Sequence, residues 1–151
     1  MLRRLIQAWS RRKQKDFELL HPLGVRIARS LALSVLPAAA LGADLERKRM
    51  GHGWTWVRLP AFADGDVFVD ISLGFNGNRL EQIDLSDANP KYGASWDDMS
   101  EQQERLRADS IGAWLSAKGY APGRYSWGMV WVGYDARSGS GCAAVRLHPH
   151  A

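Results

Sequence analysis

The sequence predicts an α+β fold in which an antiparallel sheet of about five strands is packed by helices, in the order α-α-β-β-β-α-β-β. Three observations predict it. Apolar residues alternate with period two through 54–60, 67–75 and 143–147, the pattern of strands with one buried face. Asn76, Gly77 and Asn78 separate two extended runs with residues that tolerate positive φ, which is a hairpin signal. Between residues 95 and 119 the period becomes helical, with capping residues before it and a glycine after it.

At the N-terminus Leu2, Leu5, Ile6 and Trp9 recur at helical spacing among Arg3, Arg4, Arg11, Arg12 and Lys13. Residues 1–21 therefore read as a basic amphipathic extension, and residues 22–151 as a single α+β domain. His21 and Pro22 are expected to end the first helix. A second is expected from Ser30, whose hydroxyl can cap it, through Leu31, Leu33, Val35 and Leu36, with a break at Pro37 and a stop at Gly42. Residues 26–43 also resemble a secretory leader, but the charged stretch before the apolar run is long and Pro37 interrupts that run. A cytoplasmic location is expected, with export as the alternative. The run is shorter than the roughly 20 residues a membrane span needs, so no transmembrane segment is expected.

In the first strand Trp54, Trp56 and Arg58 share one side and Thr55, Val57 and Leu59 the other, and Pro60 closes it. In the second, Val67, Val69, Ile71, Leu73 and Phe75 form the core face. A three-residue loop over 76–78 would set Phe75 opposite Arg79, Leu73 opposite Glu81 and Ile71 opposite Ile83, keeping the apolar face nearly continuous. The stretch 87–95 reads as a loop. Ser95 with Asp98, or Ser100 with Gln103, has capping-box spacing, and Leu106, Ile111, Trp114 and Leu115 supply the apolar stripe of the helix that follows. The last hairpin places Trp127, Met129 and Trp131 on one face of 125–134, opposite Val130, Val132 and Tyr134.

Charge is unevenly distributed along the chain. The net formal charge is +4, yet residues 1–29 carry eight Lys/Arg against two acids, the remainder is at −2, and residues 81–109 alone are at −5. The body is thus mildly acidic, so the alkaline balance is no argument for a nucleic-acid fold. A third reading, nucleic-acid binding through residues 1–29, would give strongly salt-dependent affinity. Contact of the N-terminal helix with a membrane surface or an acidic partner stands against a solvated or docked extension.

Cys142 is the only cysteine, which excludes an intramolecular disulfide, a cysteine zinc cage and a CxxC pair. It reads as a small hydrophobe on a strand. His21, His52, His148 and His150 fall in no ligand spacing, and the glycines 139 and 141 lie between strands rather than before a helix that could hold a phosphate. No catalytic residues, cofactor or metal are expected. The acids Asp84, Asp87, Asp97, Asp98, Glu101 and Glu104 read first as capping groups and a solvated face, with a carboxylate pair or cation site as the sharper alternative. Trp54, Trp56, Trp127 and Trp131, all at strand positions, could be core, a protein interface, or a platform for bases or sugars.

The stretches GWTWVRLP, ISLGFNGNRLEQIDLSDANPKYGASWDD with its SEQQE helix, and PGRYSWGMVWVGYDARSGSG resemble small bacterial proteins of this length, some of them immunity partners of secreted antibacterial toxins. The resemblance covers about residues 22–147, and its motifs are structural. It implies a protein that neutralises a toxin by direct binding. The expected function is accordingly non-enzymatic protein binding, with Asp97, Asp98, Glu101 and Glu104 supplying charge complementarity and Tyr92 and Trp96 as anchors. The alternative is a small-ligand-binding protein or enzyme with its pocket on the tryptophan-rich sheet face.

Overall fold

The computed structural model describes residues 15–36 and 45–149. Its architecture overturns the expected α+β fold of about five strands and the expected order of elements. Among the described residues there are ten strands and one α-helix, and eight of the strands form a single antiparallel sheet.

The strands are β1 (Glu18–Leu20), β2 (Arg26–Ala28), β3 (Glu46–Arg49), β4 (Trp54–Arg58), β5 (Phe62–Asp64), β6 (Val67–Asn76), β7 (Arg79–Asp87), β8 (Gly123–Tyr125), β9 (Gly128–Asp135) and β10 (Ser140–Leu147). The helix α1 spans Glu101–Ala117. In the main sheet the order is β3-β4-β6-β7-β10-β9-β8, with β5 pairing the start of β6 beside β4. The strands β1 and β2 form a separate two-stranded ribbon.

Where the second helix was expected, from Ser30, the described residues form a short 3-10 turn at Leu33–Val35, and the ribbon occupies residues 18–28 ahead of it. His21 and Pro22 do stop a regular element, but as a hairpin turn. The Gly24 amide bonds the His21 carbonyl at 2.8 Å and Gly24 takes φ 88°, a conformation that glycine adopts without steric cost. Leu19 then pairs with Ile27, and Phe17, Leu19, Val25 and Ile27 are buried. Core residues therefore begin upstream of the boundary at residue 21 that the sequence suggests. Residues 1–14, with the expected basic helix, and residues 37–44, with Pro37 and Gly42, lie outside the described residues. Leu31 and Leu36, from the leader-like stretch, are core residues.

The period-two faces of β4, β6 and β10 are as read: Val57, Val69, Ile71, Leu73, Phe75, Ala143, Val145 and Leu147 all point into one core. Hairpin register is not as read. The β6–β7 turn has two residues, so Asn76 pairs with Arg79 and Phe75 with Leu80, and a bulge at Glu81 then shifts the ladder so that Leu73 meets Ile83 and Ile71 meets Leu85. The cause is the odd spacing of Leu80 and Ile83. Both are buried, and two residues three apart can share a strand face only across a bulge.

The helix begins where Ser100 Oγ accepts the Gln103 amide at 3.1 Å. Its buried stripe is Glu104, Ala108, Ile111, Gly112 and Leu115, whereas Leu106, expected in the stripe, is exposed. Small residues let the helix lie close on the sheet. A Cβ on Gly112 would stand 2.8 Å from Val132 Cγ1, and one on Gly141 would stand 1.6 Å from the Glu104 carbonyl oxygen. Beside the helix, Trp127 is fully buried among Phe17, Tyr120 and Tyr125. It belongs to the β8–β9 turn rather than to the strand, because Tyr125 pairs with Gly128. The tryptophan is thereby separated from the face that carries Met129 and Trp131. The helix, the β1–β2 ribbon and residues 31–36 all cover the same side of the sheet. No helix among the described residues is long and apolar enough to cross a membrane.

Candidate functional site

The other side of the sheet has no covering element among the described residues, and its side chains follow from the pairing registers. One row runs Trp56, Gly74, Gln82, Arg146 and Met129 from β4 to β9. The next runs Arg58, Ser72, Asp84, Ala144 and Trp131. Beyond it, Cys142 pairs with Gly133 and Ser140 with Asp135. The second row supplies a floor of short side chains, Ser72, Asp84 and Ala144, while the longer Gln82 and Arg146 stand beside it in the first. The result is an open trough of about 730 Å³.

Two indoles frame this face, each lying over a glycine. The Trp56 ring occupies the space above its cross-strand partner Gly74, where an added Cβ would come within 2.8 Å of it. Trp54 stacks beside Trp56 at a centroid distance of 6.3 Å and 20° between planes. On the far side, the Trp131 ring leans over Gly133, whose Cβ would meet it at 3.1 Å. Trp131 keeps 41% of its surface exposed and its neighbour Met129 keeps 37%. The two side chains leave apolar surface open beside a polar floor.

Charges on the face are partly cancelled. Arg58 grips Asp70 with two bonds, Nε to Oδ1 at 3.1 Å and Nη2 to Oδ2 at 2.9 Å. Asp84 is less well served: Oδ1 accepts from Gln82 Nε2 at 2.8 Å. Burial pushes its carboxyl above the usual carboxylate range, Asp135 adds to that, and Gln82 and Arg146 act in the opposite direction. Cys142, half-buried between them, is pushed up to about 11 by burial and by the carboxylates of Asp84, Asp135 and Glu104. Near neutral pH it is a thiol, which removes it as a nucleophile.

The residues chosen from sequence lie elsewhere, around the start of α1 on the covered side. Asp97, Asp98 and Glu101 are exposed there, and Glu101 pairs with Arg105 at 3.3 Å. Glu104 is not on that surface. Only 3% exposed, it bonds Arg107 Nε at 2.9 Å and accepts the Gly141 amide at 3.3 Å. Tyr92 is half-buried beneath Arg107, whose guanidinium carbon stands 5.6 Å from the ring centroid and whose Nη2 bonds the Tyr92 and Gly93 carbonyls. The side chain of Trp96 lies outside the described residues. Three of the six thus share an exposed acidic edge, and Glu104 and Tyr92 serve the packing of the 88–93 loop on the helix.

Asp87 is fully buried, taking the Phe68 and Asn89 amides on Oδ1 and Ser110 Oγ at 2.6 Å on Oδ2. It belongs to the same packing network. Among the histidines, His21 is buried and structural. Its Nε2 bonds the Pro60 carbonyl at 2.8 Å and its Nδ1 accepts the Leu23 amide at 3.1 Å. His52 and His148 are exposed, and His150 is outside the described residues.

Sequence reasoning reached Trp131 as one of four tryptophans and Asp84 as one of six acids, but did not bring the two together and missed Gln82 and Arg146. They share a face only through the pairing of β7 with β10, strands about sixty positions apart, for which the chain carries no local signal. Neither a protein-family model nor a curated protein nor a solved structure matches this chain.

Proposed function

We propose that this chain is a non-enzymatic binding protein that engages a protein partner across the uncovered face of its sheet. The observation that carries the reading is the open trough beside Trp131 and Met129, large apolar groups standing free at one side of a floor of small polar ones. Interfaces concentrate their energy in such anchors, with hydrogen-bonding groups around them. The resemblance to immunity partners gives the specific form of the proposal, in which the partner is a secreted antibacterial toxin. The exposed acids Asp97, Asp98 and Glu101 then form a flanking charged edge rather than the centre of contact.

The test is purification from the native host of the wild-type chain beside Trp131→Glu. A stoichiometric protein partner with the wild type that is lost with the variant supports the reading. Free monomer from both overturns it.

The trough's volume also supports a second reading, a small-ligand site, since pockets of this class span roughly 300 to 1,000 Å³. A saturable change in tryptophan fluorescence with a nucleotide, sugar or metal ion would favour it over a protein partner.

A further inference from the structure

The trough is not chemically uniform along its length. At one end Arg146 stands between Gln82 and Met129. At the other, Cys142 lies on β10 between Ala144, whose β7 partner is Asp84, and Ser140, whose β9 partner is Asp135. The Trp131 ring leans toward this second end, over the Gly133 that pairs with Cys142.

We propose that this end of the trough seats a lysine or arginine side chain of the protein partner, its charged head above Cys142, between the carboxylates of Asp84 and Asp135 and against the Trp131 indole. The proposal rests on the reading of the uncovered face as the partner surface and names what that partner must present.

Three observations support it independently. The first is room: Asp84 and Trp131 are two strands apart, about 10 Å between backbones, with only the Ala144 methyl between them. That gap admits one extended side chain. The second is unspent binding capacity. Asp84 has a hydrogen bond from Gln82 but no ion pair among the described residues, whereas Asp70 is already taken by Arg58. Asp135 Oδ1 accepts the backbone amide of Arg137, whose side chain also lines the trough, and Asp135 makes no ion pair among the described residues. The exposed indole adds attraction for a cation lying over its face.

The third is the sign of the potential. Burial and three carboxylates act to hold the Cys142 thiol protonated, and a hydrogen bond with Ser140 acts in the opposite direction. Of the three carboxylates, Asp84 and Asp135 line the trough together with Arg137 and Arg146, and Glu104 lies beneath the helix on the covered side. An anion there would face two carboxylates. A neutral group would leave their charge uncompensated in a partly dry setting.

The experiment uses the full chain and three blocked tripeptides, Gly-Arg-Gly, its citrulline isostere and Gly-Glu-Gly, with the Trp131 indole N–H as the NMR reporter. The arginine peptide is expected to shift that signal saturably, and Asp84→Asn with Asp135→Asn to weaken binding about tenfold or more. Both asparagines keep the oxygen that accepts from Gln82 or from the Arg137 amide, so melting temperature should be unchanged. Equal shifts from the citrulline peptide overturn the slot, as does the absence of any shift. A host partner that is lost with Trp131→Glu but still held by the double asparagine variant also overturns the slot, and leaves the face as the partner surface.

Discussion

Glu104 and Gly141 meet at the closest approach of the helix to the sheet: the Glu104 carboxylate accepts the Gly141 amide at 3.3 Å, while a Cβ on Gly141 would stand 1.6 Å from the Glu104 carbonyl oxygen. Only glycine satisfies both conditions. The obstruction is helix backbone rather than a side-chain tip, so it cannot rotate away. Gly141→Ala is expected to destabilise the fold by about 3 kcal/mol, as overpacking against rigid structure does. Urea unfolding followed by far-ultraviolet dichroism checks this, and a midpoint like that of the wild type would disprove the contact.

Cys142 supplies a prediction about pH. Its thiol is raised from 9.0 to about 11, so near neutral pH it holds about 100-fold less thiolate than an unperturbed cysteine. Alkylation by iodoacetamide should be slow in the folded chain at pH 8 and ordinary in denaturant. Because the folded value lies above the unfolded one, the associated stability is complete below about pH 9 and is lost as pH rises toward 11. The effect is small, since the group is only half-buried. The pH dependence of stability of wild type minus Cys142→Ala isolates it, and a flat difference curve would refute the shift.

His21 ties the β1–β2 turn to the segment after β4. Leu23 donates to Nδ1, so the proton sits on Nε2 and is given to the Pro60 carbonyl. Nitrogen-15 NMR should report the Nε2–H tautomer. His21→Ala should cost about 2 kcal/mol by leaving two backbone groups unpaired in a buried setting.

Phe17 tests where the core begins. It is fully buried against Tyr120 and Trp127, at ring-centroid distances of 4.7 and 5.2 Å. Phe17→Ala is expected to cost about 3 to 5 kcal/mol. A chain shortened to start at Pro22 should fail to melt cooperatively. Full cooperativity in that truncation would place the core boundary where the sequence suggests it.

What the sequence discloses is set by whether a signal is local. The alternation in Val69, Ile71, Leu73 and Phe75 survives intact because one strand suffices to display it, and Ser100 announces the helix start because a cap and its amide are three residues apart. Strands of three or four residues, such as Glu18–Leu20 and Phe62–Asp64, are too short to show a period, and Glu46–Arg49 has no apolar position at all. Leu80 looked out of phase with Ile83 until the bulge at Glu81 restored them to one face. The candidate site was the least legible part. Trp131 could be flagged for its size, but Asp84 and Arg146 acquire meaning beside it only through pairing across the sheet.

Among the described residues the outermost strand Glu46–Arg49 carries four consecutive charged side chains, all exposed, and the opposite margin is the three-residue Gly123–Tyr125. A neighbouring chain that tried to extend the ladder at the first margin would have to strip water from that row of charges, and at the second it would find too little backbone to hold. Growth of the sheet into a fibre is thereby disfavoured at both of these margins, so the face framed by Trp56 and Trp131 does not come with an edge that templates copies of the chain.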